Sequence, residues 1–280
     1  MRERMKQKKS KSLQIPKYVI LILGASIMLI PFIWMLSTSF KDLNEVFVFP
    51  PELFGKRLKW ENYLNISKRF DFLAYFANSM KVAAWVVICQ VITSATAGYV
   101  FAKLEFKGRD KIFMLYLATM MVPFHVTVIT NFLQMTKYGL VNTLWSLMLP
   151  ASVSAFGTFL MRQYFITVPN ELVEAAKIDG CNPLSTFIRI ALPLAKPSLA
   201  TLSIFSFMNT WNDYFTPLVY MNDMTKYTLP LGLASMKGLY STDWPVLMAA
   251  SVLAILPVLA AFLIAQDAFV KGITMSGLKG

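Results

Sequence analysis

Two stretches decide the class of this protein: Tyr18–Phe40, YVILILGASIMLIPFIWMLSTSF, and Trp244–Gln266, WPVLMAASVLAILPVLAAFLIAQ. Each runs for 23 residues without an acidic or basic side chain. About 20 apolar residues cross a bilayer as a helix. Neither stretch alternates as a barrel strand would. Between them lie four more such runs. Val82–Ala102 is uncharged for 21 residues, and its helix is expected to begin near Leu73, with Lys81 inside it. Ile112–Thr136 is uncharged for 25 residues, Tyr138–Met161 for 24, and Pro197–Met221 is interrupted only by Asp213. The expectation is an all-α membrane protein of six transmembrane helices.

Composition agrees. The 280 residues are 56% hydrophobic and 15% charged, against roughly 45–50% and 25% in soluble domains. That apolar content excludes disorder. Two cysteines, Cys89 and Cys181, cannot build a disulfide scaffold. They fall at different levels of the chain and are not expected to pair. With a single histidine beside them, an ordinary zinc site is excluded and no metal site is assigned.

The chain carries 27 Lys and Arg against 15 Asp and Glu, a net charge of +12. Placed on six spans, 17 of the basic residues fall on the side of the two termini and nine on the other, with Lys81 in a span. This asymmetry puts both termini in the cytoplasm. The positive charge is then a property of topology, and no basic patch interleaved with stacking aromatics suggests nucleic acid. The basic start followed by an apolar run resembles a signal peptide. However, the run exceeds an h-region and no small-x-small site follows it. We expect a basic tail over 1–17, one membrane domain over 18–270 and a C-terminal tail over 271–280. The largest outside loop, Lys41–Asp71, is expected to hold a short helix near Trp60–Ile66. Pro31, Pro123, Pro150, Pro217 and Pro257 lie in five spans, as packing features or as kinks that let the bundle open.

The loop over 162–196 is long for a connector and reads as folded. Pro169 and Asn170 start a helix, with Glu171 and Glu174 near the positive end of its dipole. Gly180 stops it, and Asn182-Pro183 opens a second helix. Helical spacing places Leu172, Ala175, Ala176 and Asp179 on one face, flanked by Glu171, Glu174 and Lys177. The face is shallow at its two alanines. It suits either docking to a partner or packing against the bundle.

Here the chain resembles a family. Glu174-Ala175-Ala176, three residues, Gly180, nine residues, Ile190, one residue, Leu192-Pro193 is the signature of permease subunits of bacterial ABC importers. Gly98–Arg109 resembles the second inside loop of carbohydrate permeases. Tyr138–Thr143, Trp211-Asn212-Asp213 and the tail from Phe269 to Gly280 resemble the second, shorter permease of the maltose-type subfamily. The likeness covers nearly the whole chain. Gly24–Ser26 and Lys81 depart from it, and Ile273–Gly280 only approximates its terminal pattern.

The resemblance implies a type I importer permease fold in the inner membrane. It also implies a cytoplasmic coupling helix formed by Glu171, Glu174, Ala175, Ala176, Asp179 and Gly180, with Ile190, Leu192 and Pro193 behind it. The implied partners are a second permease, two ATP-binding subunits, an extracytoplasmic solute-binding protein, a sugar or oligosaccharide substrate and the lipid bilayer. This chain has no G-x-x-x-x-G-K-[ST] loop. It is therefore expected to be non-catalytic and to bind no cofactor, with ATP and Mg on the partner ATPase.

In the fifth span Asn209, Asn212, Asp213 and Thr216 sit at helical spacing, near Trp211 and Phe205. Polar groups inside a membrane face a cavity or a partner helix. This face either lines a sugar path or hydrogen-bonds to another helix. Lys81 reads as snorkelling outward, His125 as an interhelical residue and Asp267 as paired at the inner end of the sixth span. The alternative function is an ion-coupled secondary transporter, although no repeat is visible and buried ionisable residues are few. An intramembrane enzyme is disfavoured, since neither H-E-x-x-H nor G-x-S-x-G occurs.

Overall fold

The structure, a computed structural model, describes residues 2–238 and 242–277, with side chains over 16–238, 242–264 and 266. Among the described residues there are helices and turns and no strand. The chain divides into two compact units, Met1–Phe70 with Met236–Leu253, and Asp71–Ser235 with Ala254–Gly280.

The first unit begins with α1 (Arg2–Thr38), one helix with Pro16 and Pro31 inside it. The basic segment expected as a separate tail thus continues into the first span. The apolar part, Pro16–Thr38, is 23 residues, or about 35 Å at the α-helical rise. It is exposed on all sides from Pro16 to Trp34. The chain turns at Ser39–Lys41 because Asn62 holds it there: the Asn62 amide donates to Ser39 O and Lys41 O, both at 2.9 Å. Lys41 is buried, its Nζ donating to Glu52 O and lying 4.6 Å from the Trp34 ring centroid. Phe40 meets Trp60 edge-on at 4.6 Å. The expected short helix is α2 (Glu61–Arg69), ending three residues later than foreseen. Lys59 bonds to Asp42 and holds its carboxyl below the ordinary carboxylate range. That contribution is in place above the usual carboxylate pKa and lost as pH falls through the lowered one.

The second unit is built on α3 (Phe72–Lys103), which Asp71 caps by accepting from Ala74 N at 3.1 Å. Its start and end agree with the expected second span. The next three expected spans are not single helices. The third is α4 (Arg109–Ala118), a 3-10 turn at Thr119–Met121 and α5 (Phe124–Lys137), bent by 96°. Pro123 has no N–H to continue the helix and forces Val122 into an extended conformation.

The fourth is more broken still: α6 (Trp145–Met148), a 3-10 turn at Pro150–Ser152 and α7 (Ala155–Thr167). At 13 residues, α7 is about 20 Å long, too short to cross about 30 Å of hydrocarbon by itself. Positive φ at Gly139 and Asn142 explains why no helix runs through 138–143. The Asn142 side chain instead accepts from Asn222 N and Asp223 N, both at 3.0 Å.

After α7 come α8 (Asn170–Ile178), α9 (Pro183–Thr186), a π-helical turn at Phe187–Ala191 and α10 (Leu192–Leu194). The π-turn has a local cause. Pro193 brings no N–H and its ring crowds the carbonyl four residues back, and Leu192 N bonds to Phe187 O five residues back. A 79° bend leads into α11 (Lys196–Trp211). The fifth expected span therefore ends ten residues early, and α12 (Phe215–Tyr220) follows separately. Then come α13 (Leu229–Ser235) and α14 (Trp244–Gly277), which passes through Pro257 without a break. Leu278–Gly280 of the expected tail lie outside the described residues. Among the described residues, three helices are long and apolar enough to cross a membrane, or up to five spans if each bent pair counts as one.

Broken helices free carbonyls, and at membrane depth these need protein partners. Polar side chains of α3 supply them. Gln90 Nε2 donates to Ala151 O at 2.7 Å and Trp85 Nε1 to Ser152 Oγ at 3.0 Å. Ser206 of α11 completes the group by donating to Gln90 Oε1 at 2.6 Å. Farther along α3, Asn78 donates to Thr225 O and Tyr227 O, and Ser79 accepts from Leu229 N.

The helix pair α3–α7 packs closely because Gly98 and Gly157 lack side chains. A Cβ on Gly98 would stand 2.7 Å from Met161 Cβ and 2.8 Å from Arg162 N, and one on Gly157 2.4 Å from Ser94 Oγ. Overpacking of this kind costs about 1–3 kcal/mol. Gly98→Leu should lower the thermal midpoint in mild detergent, while Gly24→Leu, with nothing within 4 Å of its Cβ position, should leave it unchanged. Gln90→Leu strands the Ala151 carbonyl and should destabilise by about 1–3 kcal/mol, read in the same melting experiment.

Candidate coupling element and the break in the fifth span

The loop foreseen as folded is a helix with a closed stop. Asp179 ends α8, and Gly180 takes φ +80°. Cys181 N then bonds to Ala176 O at 2.8 Å and Gly180 N to Lys177 O at 3.1 Å. These are the two hydrogen bonds of a Schellman motif, which requires the left-handed residue that glycine supplies. Asn182 caps the next helix by accepting from Ser185 N at 2.8 Å, with Pro183 in its first turn. The sequence signals at Pro169, Asn170, Gly180 and Asn182-Pro183 all fall where the helix boundaries lie.

The faces of α8 differ from the expected ones. Val173 and Ala176 are its buried residues, so Ala176 is turned inward and does not share an exposed face with Ala175. The outward face carries Glu171, Glu174, Ala175 and Ile178, with Leu172 and Asp179 at its edge. Ile178, 87% exposed, was not singled out from sequence. Its signal was an isoleucine one turn after Glu174, opposite Val173 on the helical wheel. Later in the chain, Ile190 and Leu192 are half-buried and Pro193 is exposed.

The base of the element is aromatic. Tyr99 of α3 meets Phe165 of α7 at 5.6 Å and Phe187 of the π-turn at 5.1 Å, inside a buried cluster with Ala95, Met161, Val168 and Leu202. Arg162 lies 4.3 Å from the Phe113 ring centroid and donates to Phe101 O at 3.2 Å, joining α7 to α4 and the end of α3.

In the fifth span the expected polar face is divided. The helix stops at Trp211. Asp213 lies past it, its carboxylate accepting from Thr216 N at 3.0 Å and so capping α12. Asn209 and Asn212 are exposed, while Asp213 and Thr216 are half-buried. Trp211 is 2% exposed, stacks on Phe207 at 5.4 Å and donates to Ala254 O at 3.1 Å. It therefore supports the packing and does not stand beside Asn209 and Asn212. Phe205 packs edge-on against Phe156. His125 is exposed and contacts Phe215 of α12 at 5.0 Å, and Lys81 is exposed on α3. The side chain of Asp267 lies outside those described. Among the described residues, no group of His, Cys, Asp and Glu comes together to hold a metal ion.

A family described as binding-protein-dependent transport system inner membrane component matches residues 94–275. The chain belongs to this family. It is 34% identical over 263 residues to the arabinooligosaccharides transport system permease protein AraQ of Halalkalibacterium halodurans, covering 91% of this chain and 93% of the relative. It is 32% identical to the diacetylchitobiose uptake system permease protein NgcG of Streptomyces coelicolor, covering 89% and 83%. It is 33% identical to the lactose transport system permease protein LacG of Rhizobium radiobacter, covering 92% and 94%. Among solved structures, a chain of a bacterial ABC transporter involved in the import of the acidic polysaccharide alginate superposes with a TM-score of 0.82 at 24% identity, covering 92% of this chain and 96% of that one. The fold is thus that of an ABC importer permease. The protein is a non-catalytic, multi-pass component of the inner membrane and binds no cofactor itself. Membership in a binding-protein-dependent family removes the ion-coupled alternative.

Gly180 has open space around its Cβ position, so a substitution there acts through the backbone alone. Left-handed φ costs a non-glycine residue about 1–2 kcal/mol. Gly180→Ala should speed amide hydrogen exchange over 176–182 and leave exchange in the Tyr99–Phe165–Phe187 core unchanged.

Proposed function

We propose that this chain is one of two permease subunits in an ATP-driven, binding-protein-dependent importer of a sugar or oligosaccharide. The observation that carries the reading is α8: a capped, well-stopped helix in a family of import permeases, presenting Glu171, Glu174, Ala175 and Ile178 outward. The relatives named for arabinooligosaccharides, diacetylchitobiose and lactose support a carbohydrate substrate.

In this reading the chain crosses the membrane six times over 18–270, with the basic segment 1–17 and the segment 271–280 in the cytoplasm. The spans bent at Pro123 and Ala195, and the broken segment before α7, supply the three crossings beyond the continuous helices. Two ATP-binding subunits hold ATP and Mg, and a solute-binding protein delivers sugar on the opposite side. The α8 helix enters a cleft on one ATPase, with Glu171, Glu174, Ala175, Asp179 and Gly180 at the contact. Ala176 supports it from behind, and Ile190, Leu192 and Pro193 form its rear wall. Closure of the ATPase pair draws α8 toward its counterpart, and the bundle changes between two access states.

Asn209 and Asn212 line the sugar path, where amides can exchange hydrogen bonds with sugar hydroxyls. Asp213 and Thr216 hold the break that exposes these amides, and Trp211 fixes the end of α11 from within. The second permease completes the path.

Glu174→Lys and Ile178→Asp should each remove ATP-dependent uptake of arabinooligosaccharide, lactose or diacetylchitobiose by right-side-out vesicles loaded with ATP and supplied with the solute-binding protein, with membrane insertion intact. Co-purification of the ATPase in mild detergent should fall in parallel. Undiminished uptake by both variants, or uptake by the wild type that follows an ion gradient without ATP, would refute the proposal.

A further inference from the structure

A helix that moves a bundle has to be joined firmly to it, and α8 buries only Val173 and Ala176. A second fastening lies at its first turn. Lys103, the last residue of α3, donates from Nζ to Val168 O at 2.6 Å and to Asn170 Oδ1 at 2.7 Å. Val168 is the residue that closes α7, and Asn170 is the first residue of α8. One ammonium group therefore joins the ends of three helices. Its bonds are charge-assisted and short. A lysine that only snorkels at the end of a span would reach for water, not for two acceptors on a segment about 65 residues away in sequence.

The surroundings stiffen this joint. Tyr99, one turn before Lys103, touches Phe165 before the loop and Phe187 after it. Farther back on the same helix, Gln90 bonds to Ala151 O and accepts from Ser206 of α11. A pull on the start of α8 thus has a hydrogen-bonded route through Lys103 into α3, and from α3 into the broken fourth segment and the helix that carries Asn209.

We propose that Lys103 is a positioning residue that fastens the coupling helix to α3, so that displacement of α8 by the ATPase is converted into movement of the bundle. The inference rests on the reading of α8 as the ATPase contact. It assigns to Lys103 a part in transmission and none in ATPase binding.

The test uses the whole complex in proteoliposomes, comparing Lys103→Met, Lys103→Arg and Asn170→Ala with the wild type. The readouts are ATPase co-purification, basal ATP hydrolysis and sugar imported per ATP consumed, with lactose, arabinooligosaccharide and diacetylchitobiose as probes. Lys103→Met should keep the ATPase bound and hydrolysing while import per ATP falls by about fivefold or more, the lower end of ordinary coupling between sites. Lys103→Arg should restore most of the ratio, because a guanidinium can donate to both acceptors. Asn170→Ala, which removes one acceptor, should give a smaller loss of the same kind. A wild-type import ratio in Lys103→Met overturns the inference, as does loss of the ATPase from Lys103→Met and Lys103→Arg alike. Wild-type import that proceeds without ATP overturns the functional reading as well, so the two failures are distinct.

Discussion

Satisfying backbone hydrogen bonds away from water is the constraint on which this structure turns. A helix meets it internally, and a helix interrupted by proline does not. The chain interrupts its helices at Pro123, Pro150 and before Pro197, and each break frees carbonyls that water would otherwise serve. At Pro150 the answer is one long, continuous helix, α3, whose polar side chains reach the turn there. Gln90 and Trp85 serve the turn at Ala151–Ser152, while Asn78 and Ser79 serve the segment from Thr225 to Leu229. An apolar α3 would leave these groups unpaired, at a cost of about 1–3 kcal/mol each.

That arrangement also fixes where the chain is held most tightly. Packing between α3 and α7 is tight at Gly98 and Gly157, and the aromatic contacts among Tyr99, Phe165 and Phe187 continue it to the base of α8. Ala195, at the second bend, is buried in the same cluster, while the bend at Val122-Pro123 lies outside it. The tight packing thus runs from α3 and α7 into the π-turn, whose Phe187 and Ala191 are buried in the same cluster. The outward face of α8 exposes two carboxylates, an alanine and an isoleucine on a helix whose C-terminal end is closed by the turn at Gly180.

Several features were legible in the sequence for stated physical reasons. The boundaries of α8 and α9 follow from Asn170, Gly180 and Asn182-Pro183, because capping is local chemistry. The limits of α3 follow from Asp71 and the charges beyond Ala102. The breaks were less legible. An uncharged run of 25 residues carries the same hydropathy whether it is straight or bent by 96°, so Ile112–Thr136 read as one helix. Tyr138–Met161 misled for the same reason, although Gly139, Asn142 and Pro150 were visible in it. Helical spacing grouped Asn209, Asn212, Asp213 and Thr216 only as long as the helix was assumed to continue past Trp211. Spacing also put Ala175 and Ala176 on one face, whereas Ala176 is buried and Ala175 exposed, since periodicity finds a face without saying which side the bundle occupies.

The sequence by itself determined the membrane class, the helical content, the capped helix between α7 and α9 and the family resemblance, because each rests on composition or on interactions within a few residues. Only the tertiary structure decided which face of α8 is free, that Trp211 is a packing residue bonded to Ala254, and that Lys103 reaches Val168 and Asn170. Those are settled by groups far apart in the chain, brought within hydrogen-bond reach only when the helices pack, and no local pattern encodes such a distance.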